Sequence, residues 1–201
     1  MKFHTANDKR GPLNLNHFYF PVSFGTILMS WTSDELLHRL EWSTNRFAIY
    51  DKVKLPELFA ELVDSIRGYF YQGEPLGSVP WDLIDQSEWS DFQREVYKTI
   101  SLIPHGQTRT YGWVAARLGN RSASRAVGQA LRKNPLPILI PCHRIQCCQS
   151  VGGFMGTTDP MRPEVQLKRK LIALEEEYEN PLFPFLTPEA GRSFFEFMQT
   201  S

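Results

Sequence analysis

Hydrophobic runs near the start of the chain predict a β-hairpin. The runs are His17–Phe20 and Thr26–Trp31, and Gly25 lies in the turn between them. The segment that follows is ambiguous. Thr32 and Glu35 have the spacing of a helix capping box, and Leu36, Leu37 and Leu40 fit helical spacing, so the residues by themselves suggest a helix.

Helical periodicity becomes clear after a further strand candidate, Arg46–Tyr50. Pro56 begins an amphipathic helix that ends before Gly73, because proline suits the first turn of a helix and glycine suits its end. From Glu74 to Ser87 the prolines, glycine and scattered acids have linker character, and a domain boundary is expected there. The apolar face of the helix is expected to contain Leu58, Phe59, Leu62, Ile66, Tyr69 and Phe70.

Three helices are predicted between residues 91 and 133. Asp91 is the expected N-cap of the first, over 91–101. Thr110 caps a short helix over 111–118, and after a Gly-Asn turn another follows over 122–133. Two short helices across a tight turn form a helix-turn-helix. The core stripe of the first helix is expected to contain Phe92, Val96, Tyr97 and Ile100.

The helix over 122–133 is unusually thin. Interior Gly128 costs up to about 1 kcal/mol relative to alanine, so close approach by another group is the expected reason for it. The sequence leaves two partners equally open, another helix of this protein or a ligand outside it. The small residues are Ser122, Ala123, Ser124, Ala126, Gly128 and Ala130.

A proline-bracketed apolar run, Asn134–Pro141, leads directly to a cysteine. Prolines disfavour helix in the preceding residue, so the run is expected to be extended, with 138–140 as a buried strand. Cys142 then follows a rigid segment that can aim its thiol into a pocket. A buried thiol is inert unless a base or a positive charge helps it to ionise, and His143 and Arg144 are the candidates by residue type.

A glycine-rich loop, a helix and a tail follow the cysteine. The loop over 151–156 and a proline-rich insertion over 159–163 precede a helix predicted for Glu164–Tyr178. The tail over 180–201 contains five phenylalanines, which are expected to pack on the body of the protein.

Charge is distributed unevenly, although the formal net charge is +0. From Val96 to Thr158 there are eight cations and no Asp or Glu, which leaves 14 basic against 22 acidic residues elsewhere. This separation favours a surface that meets a polyanion over a merely solvated basic face. The eight cations are Lys98, Arg109, Arg117, Arg121, Arg125, Arg132, Lys133 and Arg144.

Composition indicates an ordinary globular protein, with 42% hydrophobic and 22% charged residues. No apolar run is long enough to cross a bilayer, and the polar N-terminus is unlike a signal peptide. The three cysteines lie in one short segment that includes adjacent Cys147 and Cys148. This arrangement predicts a reducing, intracellular compartment, no disulfide framework and no zinc site.

The stretch around Cys142 resembles the active-site motif of the O6-alkylguanine-DNA alkyltransferases, also called methylated-DNA–protein-cysteine methyltransferases. Their signature is Pro-Cys-His-Arg preceded by Asn-Pro-x-Pro, and this chain has both. The resemblance covers roughly Phe18 to Glu177 and is firmest after Phe92. Further matching segments are Ile103–Gly106, Thr110-Tyr111, Arg125–Gly128, Val151–Phe154 and Leu171–Glu175.

The resemblance implies an α+β fold of two domains. Residues 17–87 are expected to form a small, ribonuclease H-like α/β domain with its linker. Residues 88–178 are expected to form a mostly helical, winged helix-turn-helix-like domain that carries the chemistry. Residues 1–16 are expected to be a flexible N-terminus and residues 179–201 a C-terminal tail. The resemblance also favours a strand over 36–42, the ambiguous segment.

The implied reaction is a single-turnover repair of alkylated DNA. Cys142 attacks the alkyl carbon on O6 of guanine, with O4-alkylthymine as a further candidate substrate, and keeps the alkyl group as a stable thioether. His143 accepts the thiol proton, and Glu175 orients and stabilises the imidazole. No cofactor and no metal are expected. Each of these residues alone is better explained as an ordinary core or surface side chain, but the three together with their matching flanks are not.

The resemblance also implies that a monomer binds double-stranded DNA in its minor groove, in the cytoplasm of a bacterium or archaeon or the nucleus of a eukaryote. The damaged base is flipped out of the stack, helped by Tyr111, and Arg125 enters the vacated space. DNA contacts are implied for Thr110, Ala123, Ser124, Arg125, Gly128 and Arg132. Base-pocket roles are implied for Tyr111, Asn134, Pro137, Ile145, Phe154, Met155 and Lys168, with Pro137 and Phe154 as apolar walls.

Two departures from the family pattern bear on alkyl-group preference. Met155 stands where the family commonly has serine, and the insertion over 159–163 lengthens the loop beside the pocket. Two other functions stay open. One is an alkyltransferase-like protein that flags the lesion without repairing it, against which Cys142 argues. The other is an unrelated cysteine hydrolase, although adjacent Cys and His side chains rarely face each other in a strand.

Overall fold

The computed structural model describes residues 14–45, 55–148 and 150–180. No helix within these ranges is long and apolar enough to cross a membrane. The strand candidate Arg46–Tyr50 and the tail over 181–201 lie outside the described residues. The strands are β1 (Asn16–Val22), β2 (Gly25–Trp31), β3 (Leu37–Ser43), β4 (Arg109–Thr110) and β5 (Ile145–Gln146). The α-helices are α1 (Glu57–Gln72), α2 (Asp91–Ser101), α3 (Tyr111–Arg117), α4 (Ser124–Arg132) and α5 (Pro163–Glu179).

Strands β1, β2 and β3 form an antiparallel sheet in that order, which confirms the predicted hairpin. Five of the seven residues of β2 are buried, since it is the central strand, and the Trp31 ring lies 5.6 Å from that of Phe59 on α1. The ambiguous segment is the strand β3, not a helix. Glu35 adopts a left-handed φ of 57° just before it, which turns the chain and prevents a helix from starting at Thr32.

Helix α1 has the predicted extent, and four of the six residues expected on its apolar face are buried: Phe59, Ile66, Tyr69 and Phe70. It begins after Pro56 and ends at Gly73, which adopts the left-handed conformation. Leu58, expected on the apolar face, is 45% exposed, whereas Val63 is buried. Because α1 packs against both the sheet and α5, these two contacts decide which side of the helix faces inward.

The N-cap of α2 is Ser90, not the predicted Asp91. The Ser90 hydroxyl accepts from the Gln93 N–H at 3.2 Å, and the Gln93 side chain accepts from the Ser90 N–H at 3.0 Å. This reciprocal capping box satisfies two backbone donors, whereas Asp91 as the cap would lack the partner three residues on. Phe92, expected in the core stripe, is 38% exposed, and the other three residues of the stripe are buried.

Helices α3 and α4 pack against each other across a tight turn, as the helix-turn-helix pattern predicts. The Thr110 hydroxyl accepts from the Trp113 N–H at 3.1 Å and caps α3. Helix α4 begins two residues later than predicted, because the Asn120 side chain caps a 3₁₀ turn over Arg121–Ala123. Strands β4 and β5 pair in parallel and place the start of α3 beside the segment that follows Cys142.

The apolar run before Cys142 is a buried turn and not the predicted strand. Ile138 has a left-handed φ of 79°, and the Ile140 N–H donates to the Leu136 carbonyl at 2.8 Å. The three prolines of the run have no N–H, so it cannot complete the hydrogen-bond ladder of a central strand. Its apolar side chains are nevertheless buried, as expected.

The free edge of β3 joins the sheet to the second half of the chain. The Leu40 N–H donates to the Pro135 carbonyl at 2.9 Å, within the turn that precedes Cys142. His38 Nδ1 lies 3.0 Å from the carboxylate of Asp85, at the end of the linker. The linker and the turn are therefore both held by the sheet.

Candidate active site

Cys142 lies where the buried turn ends and a short 3₁₀ turn, Cys142–Arg144, begins. Its N–H donates to the Ile140 carbonyl at 2.7 Å. The Asn134 amide nitrogen donates to the same carbonyl at 2.9 Å and lies 3.1 Å from the Cys142 Sγ. Its amide oxygen accepts from the Leu136 N–H at 3.0 Å. Asn134 therefore closes the turn and holds the thiol at its end.

Lys168 is the second group that acts on the thiol. It is fully buried on α5, and its ammonium donates to the Gly153 carbonyl at 3.1 Å and to the Ile145 carbonyl. Burial lowers the pKa of Lys168 to about 8, while the charge of Cys142 acts to raise it. Burial likewise raises the pKa of the Cys142 thiol, against the opposing effects of the Asn134 hydrogen bond and the Lys168 charge. A thiolate formed here has two specific stabilising partners.

His143 and Glu175, which the resemblance pairs, are in contact. His143 Nε2 lies 2.8 Å from Glu175 Oε1, and both side chains are buried. Burial lowers the pKa of His143, while Glu175 acts to raise it. Burial alone would raise the pKa of Glu175, but the hydrogen bonds from His143 and Arg144, together with the Arg144 charge, hold it well below its usual range. Glu175 is therefore an anion beside a neutral imidazole.

The tautomer of His143 follows from these contacts. Because the ionised carboxylate can only accept, Nε2 carries the proton and donates to Glu175. Nδ1 is buried and has no hydrogen-bond partner among the described residues. The ring therefore has a lone pair on Nδ1 that can accept a proton.

Glu175 is the centre of a larger network than the sequence predicted. The Arg144 guanidinium binds both carboxylate oxygens, with Nε 2.9 Å from Oε2 and Nη2 3.0 Å from Oε1. The Gly106 N–H donates to Oε2 at 3.1 Å. From α1, the Tyr69 hydroxyl donates to Oε1 at 2.8 Å. These contacts fix the carboxylate from three further directions.

Sequence reasoning missed the roles of Arg144 and Tyr69 for different reasons. Arg144 was expected to help the thiol, but its guanidinium binds Glu175, and only its place in the Pro-Cys-His-Arg motif was a signal. Tyr69 had the position of an ordinary core aromatic on α1. It lies 106 residues from Glu175 in the chain, so no local pattern could connect the two.

A cavity of about 350 Å³ opens at Cys142. Pockets for small molecules range from about 300 to 1,000 Å³. The predicted site residues that line it are Tyr111, Arg125, Gly128, Arg132, Cys142, Phe154 and Met155. Lining residues that sequence reasoning missed are Gln129 and Leu131 on α4, and Gly153, Gly156, Thr157 and Thr158 in the loop over 153–158. The sequence of the loop shows no pattern that reveals its bend.

Several predicted site residues do not line this cavity. Pro137 is buried in the turn, so the expected apolar wall is absent at that position. Ile145 is buried, and its carbonyl holds the Lys168 ammonium. Thr110 caps α3, and Ala123 ends the 3₁₀ turn before α4. Ser124 lines a second cavity of about 580 Å³ next to the first.

Helix α4 brings arginines to the cavity and leaves space around Gly128. Arg125 and Arg132 line the cavity, and neither forms an ion pair with an acid in the described part of the chain. A Cβ added at Gly128 would meet only the Tyr111 ring, at 3.8 Å, which is ordinary contact. Packing inside the protein therefore does not require a glycine here.

The site combines a stabilised thiol, a base with a free nitrogen and an open cavity. Such a set suits attack by sulfur on an electrophilic carbon held in the cavity. The other two cysteines, Cys147 and Cys148, are exposed and free, and Cys147 lines the second cavity.

Comparison with known proteins identifies one family. The family model described as "6-O-methylguanine DNA methyltransferase, DNA binding domain" matches residues 91–177. The methylated-DNA–protein-cysteine methyltransferase of Mycolicibacterium paratuberculosis is 36% identical over 124 residues, which cover 61% of this chain and 68% of the relative. The protein of the same name from Methanosarcina acetivorans is 43% identical over 123 residues, which cover 61% of this chain and 72% of the relative.

Solved structures extend the similarity to both halves of the chain. A variant of Mycobacterium tuberculosis O6-methylguanine methyltransferase matches with a TM-score of 0.61 at 25% identity, over 86% of this chain and 98% of the other. Mycobacterium tuberculosis OGT in complex with DNA matches with a TM-score of 0.62 at 27% identity, over 81% of this chain and 93% of the other.

Proposed function

This chain belongs to the methylated-DNA–protein-cysteine methyltransferase family, and from this premise we propose that Cys142 is the residue that accepts the alkyl group. The function is direct-reversal DNA repair, in which the alkyl group moves from a damaged base to a cysteine of the protein. One observation carries the assignment to Cys142. Its thiol lines the cavity and is held by Asn134, next to the His143–Glu175 pair.

Alkyl transfer begins when the Cys142 thiol loses its proton. The Cys142 thiol gives its proton through a bridging water to Nδ1 of His143, while Nε2–H remains bound to Glu175, whose charge stabilises the imidazolium. The thiolate, stabilised by Asn134 and Lys168, attacks the alkyl carbon on O6 of the guanine. The S–C bond forms as the C–O6 bond breaks, and the oxygen keeps the bonding electrons. The base then takes up one proton, so the thiol proton ends on guanine and the alkyl group on sulfur.

Each protein molecule repairs one base under this mechanism. A thioether has no good leaving group, and none of the described residues offers a device to remove the alkyl group from Cys142. The protein is therefore consumed stoichiometrically.

The DNA-binding face is assigned to α4 and the cavity mouth. Arg125 and Arg132, unpaired among the described residues, are available to phosphates, and the space at Gly128 lets α4 lie close to the narrow minor groove. Tyr111 and Arg125 line the cavity that would receive a flipped base, and we assign to Arg125 the filling of the gap in the stack. Affinity for duplex DNA should fall steeply as salt rises.

We assign the finer features of fold and setting on the same basis. Residues 17–87 form the ribonuclease H-like domain with its linker, supported by α1 packed on the antiparallel sheet. Residues 88–178 form the winged helix-turn-helix-like domain, supported by the α3–α4 pair and the β4–β5 pairing. The protein acts as a monomer inside the cell, in the cytoplasm or nucleus, where its three free thiols stay reduced.

Mass spectrometry tests the assignment. After incubation with a duplex that contains O6-methylguanine, the protein should gain about 14 Da, one methylene, on the peptide that contains Cys142, because the thiolate is the nucleophile. Cys142→Ser should bind the duplex without gaining mass, and Cys147→Ser should react like the wild type. Binding with no mass change in the wild type would instead support a protein that only flags the lesion.

A further inference from the structure

We propose that Tyr69 of α1 is a positioning residue for alkyl transfer and that it acts by holding the Glu175 carboxylate against His143. The proposal rests on the function assigned to Cys142. It gives the first half of the chain a role in positioning the catalytic groups, in addition to its role in folding.

The contacts of Tyr69 are specific and buried. Its side chain is fully buried, and its hydroxyl donates to Glu175 Oε1 at 2.8 Å and lies 3.2 Å from His143 Nε2. The hydroxyl therefore sits at the point where carboxylate and imidazole meet. Burial, followed by the charge of Glu175, raises the pKa of Tyr69 well above its ordinary value, so the hydroxyl stays protonated and acts as a donor.

The fold places Tyr69 there through a close approach of α1 to α5. Gly73, which ends α1 with a φ of 74°, packs directly against α5. A Cβ at this position would lie 3.1 Å from the Cβ of Tyr178 and 3.2 Å from the Leu174 carbonyl. One helical turn earlier, Tyr69 reaches Glu175, which is one turn before Tyr178 on α5. The glycine thus permits the contact that carries the tyrosine to the network.

The hydroxyl matters because the carboxylate has competing partners. The Arg144 guanidinium binds both oxygens of Glu175 and draws the carboxylate toward itself. Tyr69 binds only Oε1, the oxygen that also faces His143. Without the hydroxyl, the carboxylate is free to turn toward Arg144, and the imidazolium that forms during transfer loses part of its stabilisation.

Removal of the Tyr69 hydroxyl is expected to make His143 a weaker base and to slow alkyl transfer. The charged groups that face His143 are Glu175 and Lys168 from α5 and Arg144 from its own turn, and Tyr69 faces it from α1. Of these only Glu175 favours the imidazolium. A poorly held Glu175 therefore lowers both the rate of proton transfer and the pH at which His143 becomes protonated.

The test compares two buried tyrosines in the full-length protein. Tyr69→Phe removes the hydroxyl from Glu175. Tyr97→Phe is the matched control, because Tyr97 is also fully buried and its hydroxyl donates to the Ala130 carbonyl at 2.9 Å. Transfer from free O6-benzylguanine is followed by mass spectrometry across a pH series, so that DNA binding does not enter. Unfolding in urea measures the stability of each variant.

Tyr69→Phe should reduce the limiting transfer rate about tenfold, the effect of one hydrogen bond to a charged group, with the half-saturating concentration unchanged. The acid limb of the pH–rate profile of Tyr69→Phe should move to lower pH. Tyr97→Phe should lose similar stability but keep the pH profile of the wild type, because the charge that acts on Tyr97 is that of Cys142 and not that of Glu175. An acid limb that does not move to lower pH in Tyr69→Phe, or one that moves equally in Tyr97→Phe, would overturn the proposal.

Two further outcomes are decisive. Should Tyr69→Phe not fold, fluorotyrosine at position 69 keeps the shape of the side chain and makes the hydroxyl a stronger donor. The transfer rate and acid limb should then change, and an unchanged profile would overturn the proposal. A wild-type protein that takes no alkyl group from any substrate would instead refute the proposed function itself.

Discussion

The two sides of Cys142 differ in how completely their polar groups are paired. On the buried side, Glu175 accepts hydrogen bonds from four residues, and Lys168 is held by two carbonyls. On the open side, Arg125 and Arg132 border the cavity without an acidic partner in the described chain, and Gly128 leaves space unfilled.

Under the proposed function, this difference separates chemistry from recognition. The groups assigned to proton transfer are in place before any substrate arrives, which avoids reorganisation during the reaction. The groups assigned to DNA binding would receive their partners from the DNA. Changes on the buried side should therefore affect both stability and transfer, whereas changes on the open side should affect recognition with the fold intact.

Glu175→Gln should produce the largest effect. It leaves the Arg144 charge without its partner in a buried place, which costs about 3–5 kcal/mol of unfolding free energy. Loss of the anion that stabilises the imidazolium should slow transfer by at least about 100-fold. Urea unfolding and transfer from free O6-benzylguanine measure the two effects. Glu176→Gln, at an exposed position on the same helix, is the control, and equal results for both variants would contradict the network.

Arg125→Ala should separate the two sides most clearly. Extruding a base costs a few kcal/mol, so loss of the side chain that fills the gap should slow transfer from duplex DNA by roughly 100-fold. Transfer from free O6-benzylguanine should stay within about twofold, because the buried side is intact. Arg67→Ala, which removes a guanidinium paired with Asp64 on α1, should leave both reactions unchanged. Equal loss on duplex and free base would show that Arg125 does not serve extrusion.

Low pH should lower the stability of the protein first through the buried groups around His143 and Glu175. Burial lowers the pKa of both His105 and His143 in the folded protein, so below about pH 6.5 the unfolded chain binds more protons than the native one. The unfolding free energy should therefore fall as pH drops from 7 to 5, by about 1.4 kcal/mol per pH unit for each excess proton. Glu175, whose pKa is also lowered, adds a loss in the same direction at lower pH. His105→Gln should flatten the decline, and a stability independent of pH would refute the linkage.

Gly128→Ala should produce the smallest effects. They should have opposite signs, because the stability of the protein should rise and its affinity for duplex DNA should fall. Alanine in a helix interior is favoured by roughly 0.5–1 kcal/mol over glycine, and the added Cβ meets only ordinary contact, so the melting temperature should rise. Duplex affinity should fall severalfold, because the methyl group occupies the space proposed for DNA. Gly112→Ala is the control, since its Cβ also meets nothing closer than 3.8 Å. A loss of stability at Gly128 would restore the packing explanation.

Local signals predicted much of the fold. The hairpin, α1, the helix-turn-helix and α5 follow from turn residues, caps and periodicity, and the structure confirms them. The family and its repair function follow from one ordered motif, and the relatives confirm both. The errors arose where partners distant in sequence decide the outcome. Leu58 is exposed because the sheet and α5 together orient α1. The run before Cys142 turns because its prolines cannot pair as a strand.

By itself the sequence determined which chemical groups this protein has and the order in which they occur: a cysteine, a neighbouring histidine, a distant glutamate and an acid-free basic segment. Only the tertiary structure decided what those groups contact. Tyr69 and Arg144 meet on Glu175 because α1, α5 and the turn after Cys142 pack together. Contacts between residues far apart in the chain depend on how whole elements pack, and no local pattern of residues encodes that geometry.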